Sequence, residues 1–115
     1  MKLTTLPQRR KNQACHVATA APSLSSDQVS MLAARLKILS DPTRLELLDF
    51  LAQQHEPLCV CDLTPRFSQN QPTISHHLKI LRAAGLIDTE KGGLWSHYWA
   101  TSAGKVALSS VTALL

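Results

Sequence analysis

Asn70-Gln71-Pro72-Thr73-Ile74-Ser75-His76-His77-Leu78-Lys79-Ile80-Leu81-Arg82 is the stretch whose reading decides the fold. Asn70 is a helix N-cap, because its side-chain oxygen can take a first-turn N–H, and Pro72 sits in the first turn where a missing N–H costs nothing. Ile74, His77, Leu78 and Leu81 recur at helical spacing and mark an inner side. Ser75, His76, Lys79 and Arg82 point outward, and Gly85 ends the helix as a left-handed residue would. From Leu63 to Ile87 the chain carries Arg66, Lys79 and Arg82 and no acid, an asymmetry that suits a phosphate backbone. This is the composition of a helix that lies in the major groove of DNA, reading base edges with its N-terminal residues.

Downstream, Leu86–Glu90 and Trp95–Trp99 are strand-like runs, and Lys91-Gly92-Gly93-Leu94 supplies the glycines of a tight hairpin. Trp95, Tyr98 and Trp99 are expected to pack this wing onto the core. A closing helix is predicted from Thr101 to Leu115, with Val106, Ala107, Val111 and Leu114 at core or interface spacing. Upstream, Phe67-Ser68-Gln69 reads as a turn and Pro57–Arg66 as a short helix. Before that, Asp41 and Pro42 open a helix that carries Leu45, Leu48, Leu51 and Ala52 on one face and ends near Gln54-His55. The first helix starts from the caps in Ser25-Ser26-Asp27, carries Val29, Leu32, Ala33, Leu36 and Leu39, and stops at Ser40. Four helices, a hairpin and a closing helix predict a mainly α fold with a small β-hairpin (α+β), a winged helix-turn-helix. Residues 25–115 form that domain, and residues 1–24 form an arm.

With 115 residues, 44% of them hydrophobic, the chain buries one modest core, and a subunit of this size often completes its core as a symmetric dimer. The net charge of +4 resides in the arm, where Lys2, Arg9, Arg10 and Lys11 precede the first acid, Asp27. No apolar stretch approaches the roughly 20 residues of a membrane span, and the basic start lacks the apolar region of a secretory signal. Three cysteines make an odd number, which argues against a closed disulfide framework and for free thiols in a reducing cytoplasm.

Two of those cysteines, in Cys59-Val60-Cys61, sit just before the recognition helix, with Cys61 ten residues ahead of Gln71. Thiolates select soft ions. On a regular helix, residues two apart point about 200° apart. Cys59 and Cys61 therefore grip one ion only if Cys59 lies in a non-helical lead-in or the first turn unwinds. Arsenite and antimonite complete three bonds to sulfur, and Cys15 in the arm is the third thiol of the chain. His16 beside it leaves open a site of three sulfurs and one nitrogen for Cd(II), Pb(II) or Zn(II). Competing readings are two buried small hydrophobes, a redox disulfide, a DNA-binding module without ligand, and a small thiol enzyme of arsenic metabolism. An enzyme would need a phosphate-cradling loop, and no Gly-rich or multi-donor loop adjoins Cys15, Cys59 or Cys61.

Three segments together resemble the ArsR/SmtB family of metal-sensing bacterial repressors. They are Leu39-Ser40-Asp41-Pro42-Thr43-Arg44-Leu45, Leu58-Cys59-Val60-Cys61-Asp62-Leu63, and Gln71 to Leu81 followed by Ala84-Gly85-Leu86. The resemblance spans about Leu32 to Ala100 and implies a homodimer of winged-helix subunits that binds operator DNA without metal and lets go when metal binds. It also implies that distorting the CxC helix re-aims the recognition helix. The chain departs from the family's patterns at several positions. Leu94 stands where members often place a wing arginine, so Lys91 or His97 would serve there instead. Thr64 stands where arsenite repressors often carry a third cysteine, and residues 101–115 lack the Asp, Glu and His of the family's last-helix site. The cadmium/lead branch usually has two arm cysteines, against Cys15 alone here.

The expectation is a non-enzymatic, dimeric transcriptional repressor released from an inverted-repeat operator by As(III) or Sb(III) at Cys15, Cys59 and Cys61, with Cd(II), Pb(II) or Zn(II) as the alternative inducer. Gln71, Thr73, Ser75 and His76 are the candidate base readers; Asn70, Lys79 and Arg82 position the helix on the backbone, and Lys91 belongs to the wing.

Overall fold

The computed structural model describes residues 17–115, and every α-helix among them opens on a side-chain cap. In α1 (Ser26–Leu39) Ser25 and Gln28 cap each other reciprocally, the Gln28 N–H donating to Ser25 Oγ at 3.1 Å and the Ser25 N–H to Gln28 Oε1 at 3.0 Å. Asp41 accepts from the Arg44 N–H at 3.0 Å to start α2 (Pro42–Ala52). Asn70 starts α4 (Gln71–Ala83) and Thr101 starts α5 (Ser102–Thr112) in the same way. Gly85 takes a positive φ of 76° and closes α4, with the Leu86 N–H donating to the Leu81 carbonyl at 3.1 Å.

A three-stranded antiparallel sheet has the order β1-β3-β2, made from β1 (Leu58–Cys59), β2 (Ile87–Gly92) and β3 (Trp95–Ala100). The hairpin turns at Gly93, whose φ is +64°. The core lies between α2, α4 and the sheet, where Leu47, Leu48, Leu63, Ile74, Leu78 and Leu81 are wholly buried. Each such side chain contributes roughly 1.5–3 kcal/mol on leaving water. Outside that core, α1 and α5 flank an apolar cleft of about 500 Å³ lined by Leu32, Leu36, Leu39, Val106 and Val111.

The structure differs from the sequence expectation at four places. Pro57–Arg66 is not one helix. Leu58–Cys59 pairs with β3, α3 covers only Val60–Leu63, and Thr64–Arg66 tightens into a 3₁₀ turn. Pro65 has no N–H for the next α-helical bond, so the tighter turn follows from its position. In α2, Leu47 is buried while Leu45 is only half-buried, because the helix is apolar around most of its circumference and sits centrally. In α5 the buried residues are Gly104 and Leu108, with Val106 and Leu114 exposed. In the wing, Tyr98 packs against the core, but Trp95 is exposed near the hairpin tip.

Candidate functional site

Cys59 has extended backbone (φ −67°, ψ 150°) and so occupies the non-helical lead-in to α3. That conformation removes the opposition that a continuous helix would impose. The Cys61 N–H donates to Cys59 Sγ at 3.3 Å, and the Cys61 thiol donates to the same sulfur at 2.6 Å. Cys59 is therefore ladder residue, helix cap and thiol partner at once. Cys59 is buried and Cys61 exposed, so the pair opens to solvent through Cys61. A carboxylate oxygen of Asp62 lies within 4.8 Å of both sulfurs. Asp62, absent from the expected ligand set, is signalled in the sequence by its place directly after the CxC pair.

The Cys61 thiol is held above the ordinary cysteine range. Its hydrogen bond to Cys59 is the largest cause, followed by desolvation and the negative charges of Cys59 and Asp62. Two sulfurs and a carboxylate oxygen in one cluster suit a thiophilic ion whose arrival displaces a proton. Cys15, with its neighbour His16, lies outside the described residues.

From this cluster the chain runs through the 3₁₀ turn to Phe67, whose ring meets Phe50 of α2 edge-on at 6.3 Å. The Arg66 guanidinium covers the same Phe50 ring at 5.3 Å. Gln69 Nε2 then donates to Thr43 Oγ1 at 2.7 Å. On the inner side of α4, His77 Nδ1 is 3.4 Å from Arg44 Nη1, and Arg44 Nε donates to the Ile38 carbonyl at 2.7 Å. Asp41 beside them has a carboxyl held below its usual range, first by the Arg44 backbone N–H and then by the positive charges of Arg44 and His77. The Asp41-Pro42-Thr43-Arg44 segment thus seats both the turn and α4, a role its sequence announced only as a helix start.

On the outer side of α4, Gln71, Ser75, His76, Lys79 and Arg82 are exposed and Thr73 is half-buried. Asn70 is exposed, and its Oδ1 is engaged as the cap, accepting from the Thr73 N–H at 3.0 Å. Arg82 Nε lies 3.7 Å from Asp88 Oδ1, an exposed ion pair that solvent screens heavily. Lys91 is exposed on β2, across from Ser96. His55 is exposed at the end of α2, apart from the thiol cluster, whereas His97 is half-buried on β3. No helix among the described residues is long and apolar enough to cross a membrane.

Comparison with known proteins places this geometry in a family. The profile described as "Bacterial regulatory protein, arsR family" matches residues 41–89, from the α2 cap into β2. An HTH-type transcriptional regulator of Methanocaldococcus jannaschii is 44% identical over 63 residues, covering 55% of this chain and 70% of the relative. The arsenical resistance operon repressor of Escherichia coli is 50% identical over 62 residues, covering 54% of this chain but only 52% of the repressor. The chain thus spans about half to seven-tenths of the length of these curated relatives. In solved structures, a homodimeric winged helix-turn-helix DNA-binding domain from Mycobacterium bovis superposes with a TM-score of 0.65 at 22% identity, over 84% of this chain and 88% of that one. With the capped α4, the β2–β3 wing and the matched segment agreeing, this chain belongs to the ArsR family of bacterial regulatory proteins and has the winged helix-turn-helix fold.

Proposed function

We propose that the chain is a transcriptional repressor that binds inverted-repeat operator DNA as a homodimer and leaves it when As(III) or Sb(III) binds cysteine thiolates. The observation that carries this reading is the meeting of the Cys59 and Cys61 sulfurs at the mouth of α3, which leads through one 3₁₀ turn to α4. Cys15, on the arm of residues 1–24, supplies the third sulfur that a pyramidal metalloid requires. Gln71, Thr73, Ser75 and His76 read base edges, while Asn70, Lys79, Arg82 and Lys91 hold phosphate and sugar. The apolar cleft between α1 and α5 is the face a second copy covers, with Leu36 55% and Val106 66% exposed in the single chain. The homodimeric state of the M. bovis domain and the name of the E. coli repressor support the assembly and the inducer class respectively. The protein works as a switch rather than an enzyme, in the cytoplasm where its thiols stay reduced.

Arsenite titrated into the operator complex tests this reading. The parent protein is expected to release DNA, and Cys59→Ser and Cys61→Ser to retain it. Release from those variants at the parent's arsenite concentration would overturn the site assignment. A second reading has its own support in the Asp62 carboxylate beside the sulfurs, an oxygen donor that a four-coordinate divalent ion such as Zn(II), with Cd(II) or Pb(II) as congeners, can accept with thiolates. Cadmium–thiolate absorption that saturates at stoichiometric ion and resists excess arsenite would favour it.

A further inference from the structure

The sheet brings one more ligand-bearing side chain to the thiol pair. In the β1–β3 ladder Cys59 lies directly across from His97, and in the β2–β3 ladder His97 lies directly across from Glu90. Residues directly opposed in an antiparallel ladder share a sheet face, with Cβ atoms about 4.5–5.5 Å apart. Their neighbours Leu58 and Tyr98 take the other face, against the core. An ion with sulfur at about 2.3 Å and imidazole nitrogen at about 2.0–2.1 Å in tetrahedral array spans donors roughly 3.6 Å apart. Facing cysteine and histidine side chains reach that separation by turning about their own bonds, without moving the strands.

The imidazole at rest leans the other way, over β2. A Cβ added to Gly92 would lie 3.1 Å from both Cε1 and Nδ1 of His97, so the ring fills the space that a side chain there would take. On the same side the ring borders an open cleft of about 590 Å³, shared with Glu56, Glu90, Gly92 and Trp99, so it is not packed in on that face. We propose that His97 is a nitrogen ligand for a divalent thiophilic ion held by Cys59 and Cys61, reaching it by swinging from Gly92 toward Cys59. This inference rests on the thiol site proposed above and adds to it a donor on the central strand of the wing. Imidazole suits Zn(II) and its congeners, whereas a metalloid that takes three sulfurs has no bond left for it. His97 therefore raises affinity for divalent ions and leaves arsenite untouched.

The test uses the full chain with Cd(II) as probe, in competition with a chelator. His97→Gln is expected to weaken Cd(II) binding by at least about tenfold, since even the loss of an outer partner of a ligand costs about 10–100-fold. Arsenite binding is expected to stay at the parent's value. Gly92→Ala should act in the opposite direction, because its methyl group crowds the ring out of its resting place and toward Cys59. In the parent, the ring nitrogen signals of His97 should move on Cd(II) addition, a readout that does not depend on any variant folding. Unmoved nitrogen signals, or a His97→Gln chain that binds Cd(II) as tightly as the parent, overturn the inference. If Cys59→Ser and Cys61→Ser then abolish Cd(II) binding, the thiol site itself stands. If those serine variants also bind Cd(II) like the parent, the thiol reading has failed as well.

Discussion

Replacing Gly104 with alanine should unseat α5, and the structure gives the size of the effect. A Cβ at this position would lie 1.9 Å from the Leu86 carbonyl oxygen, 2.9 Å from the Leu86 carbonyl carbon and 3.1 Å from Leu48 Cδ1. Carbon and carbonyl oxygen ordinarily approach to about 3.3 Å, so α5 would have to retreat by roughly 1.4 Å. The obstacle is backbone and cannot rotate away. That same Leu86 oxygen accepts from the Thr101 N–H at 3.1 Å, and Thr101 Oγ1 both donates to the Gly85 carbonyl at 2.7 Å and accepts from the Gly104 N–H at 3.0 Å. Overpacking costs up to about 3 kcal/mol, and the strained hydrogen bond adds about 1 kcal/mol. Alanine's better helix propensity returns about 1 kcal/mol. The net is a loss of about 3 kcal/mol, a large share of the roughly 5–15 kcal/mol that holds a domain folded. Thermal unfolding at fixed protein concentration should show the midpoint falling by about 12 °C or more. Lys105→Gly, one residue away, exposed and outside the α1–α5 cleft, serves as the control and should cost only about 1 kcal/mol through propensity. A Gly104→Ala chain as stable as the parent would refute the close approach of α5 to Leu86.

Three further outcomes are expected. Asn70→Ala should cost about 1 kcal/mol by uncapping α4, while Asn70→Asp keeps the cap, as denaturant midpoints would report. Lys79→Gln should weaken operator binding evenly across sequences and lower the salt slope by about 1, which fluorescence titration at several salt concentrations measures. The Cys61 thiol, held above the ordinary range, is protonated near neutrality, so an arriving ion must displace that proton. Cd(II) affinity should therefore rise with pH, by about tenfold per unit for each proton released, and a flat profile in calorimetry would contradict it.

How much of this was legible in the sequence depends on how local the deciding physics is. Ser25, Asp41, Asn70 and Gly85 act on their own or adjacent turns, and each stands where its chemistry placed it. The segment Pro57–Arg66 was misread because its fate is settled by distant partners: Leu58 and Cys59 extend to pair with Tyr98 and His97, some forty residues away. A two-residue edge strand carries no periodicity of its own. Leu47 was missed because α2 has too many leucines for its spacing to choose a face, and Leu108 because Gly104 lets α5 approach so closely. At the site, the CxC pair was legible, and so was the constraint that a regular helix would separate its sulfurs. The Arg44–His77 contact was not, since it depends on how α4 rests against α2, whereas Asp62 follows Cys61 directly in the chain and its place beside the sulfurs is local. Cys15 lies outside the described residues, so the third sulfur rests on the sequence alone.

On the proposed reading, the coupling between ion and DNA runs through the several tasks Cys59 performs. An ion held through its sulfur would compete with the cap bond from the Cys61 N–H, beside a two-residue ladder with β3. A cap contributes about 1 kcal/mol, and a neutral hydrogen bond about 0.5–1.5 kcal/mol. Allosteric coupling in general amounts to about 1–3 kcal/mol, so disturbing these few bonds is sufficient. The disturbance has a defined route, because α3 is only four residues long and continues without a flexible linker into the Thr64–Arg66 turn. Phe67 is wedged against Phe50, and Arg66 is stacked on the same ring, so that turn cannot absorb a shift freely. Beyond it, α4 is tied to α2 by Gln69–Thr43 and by His77–Arg44. Of these ties the His77 contact is the longer, at 3.4 Å against 2.7 Å, and it sits under the helix rather than at its start. On the proposed reading, a push arriving through Phe67 would strain the His77–Arg44 contact before the shorter Gln69–Thr43 bond. A shift of α4 carries the exposed Ser75, His76 and Lys79 with it, which on that reading would weaken DNA binding without unfolding the domain.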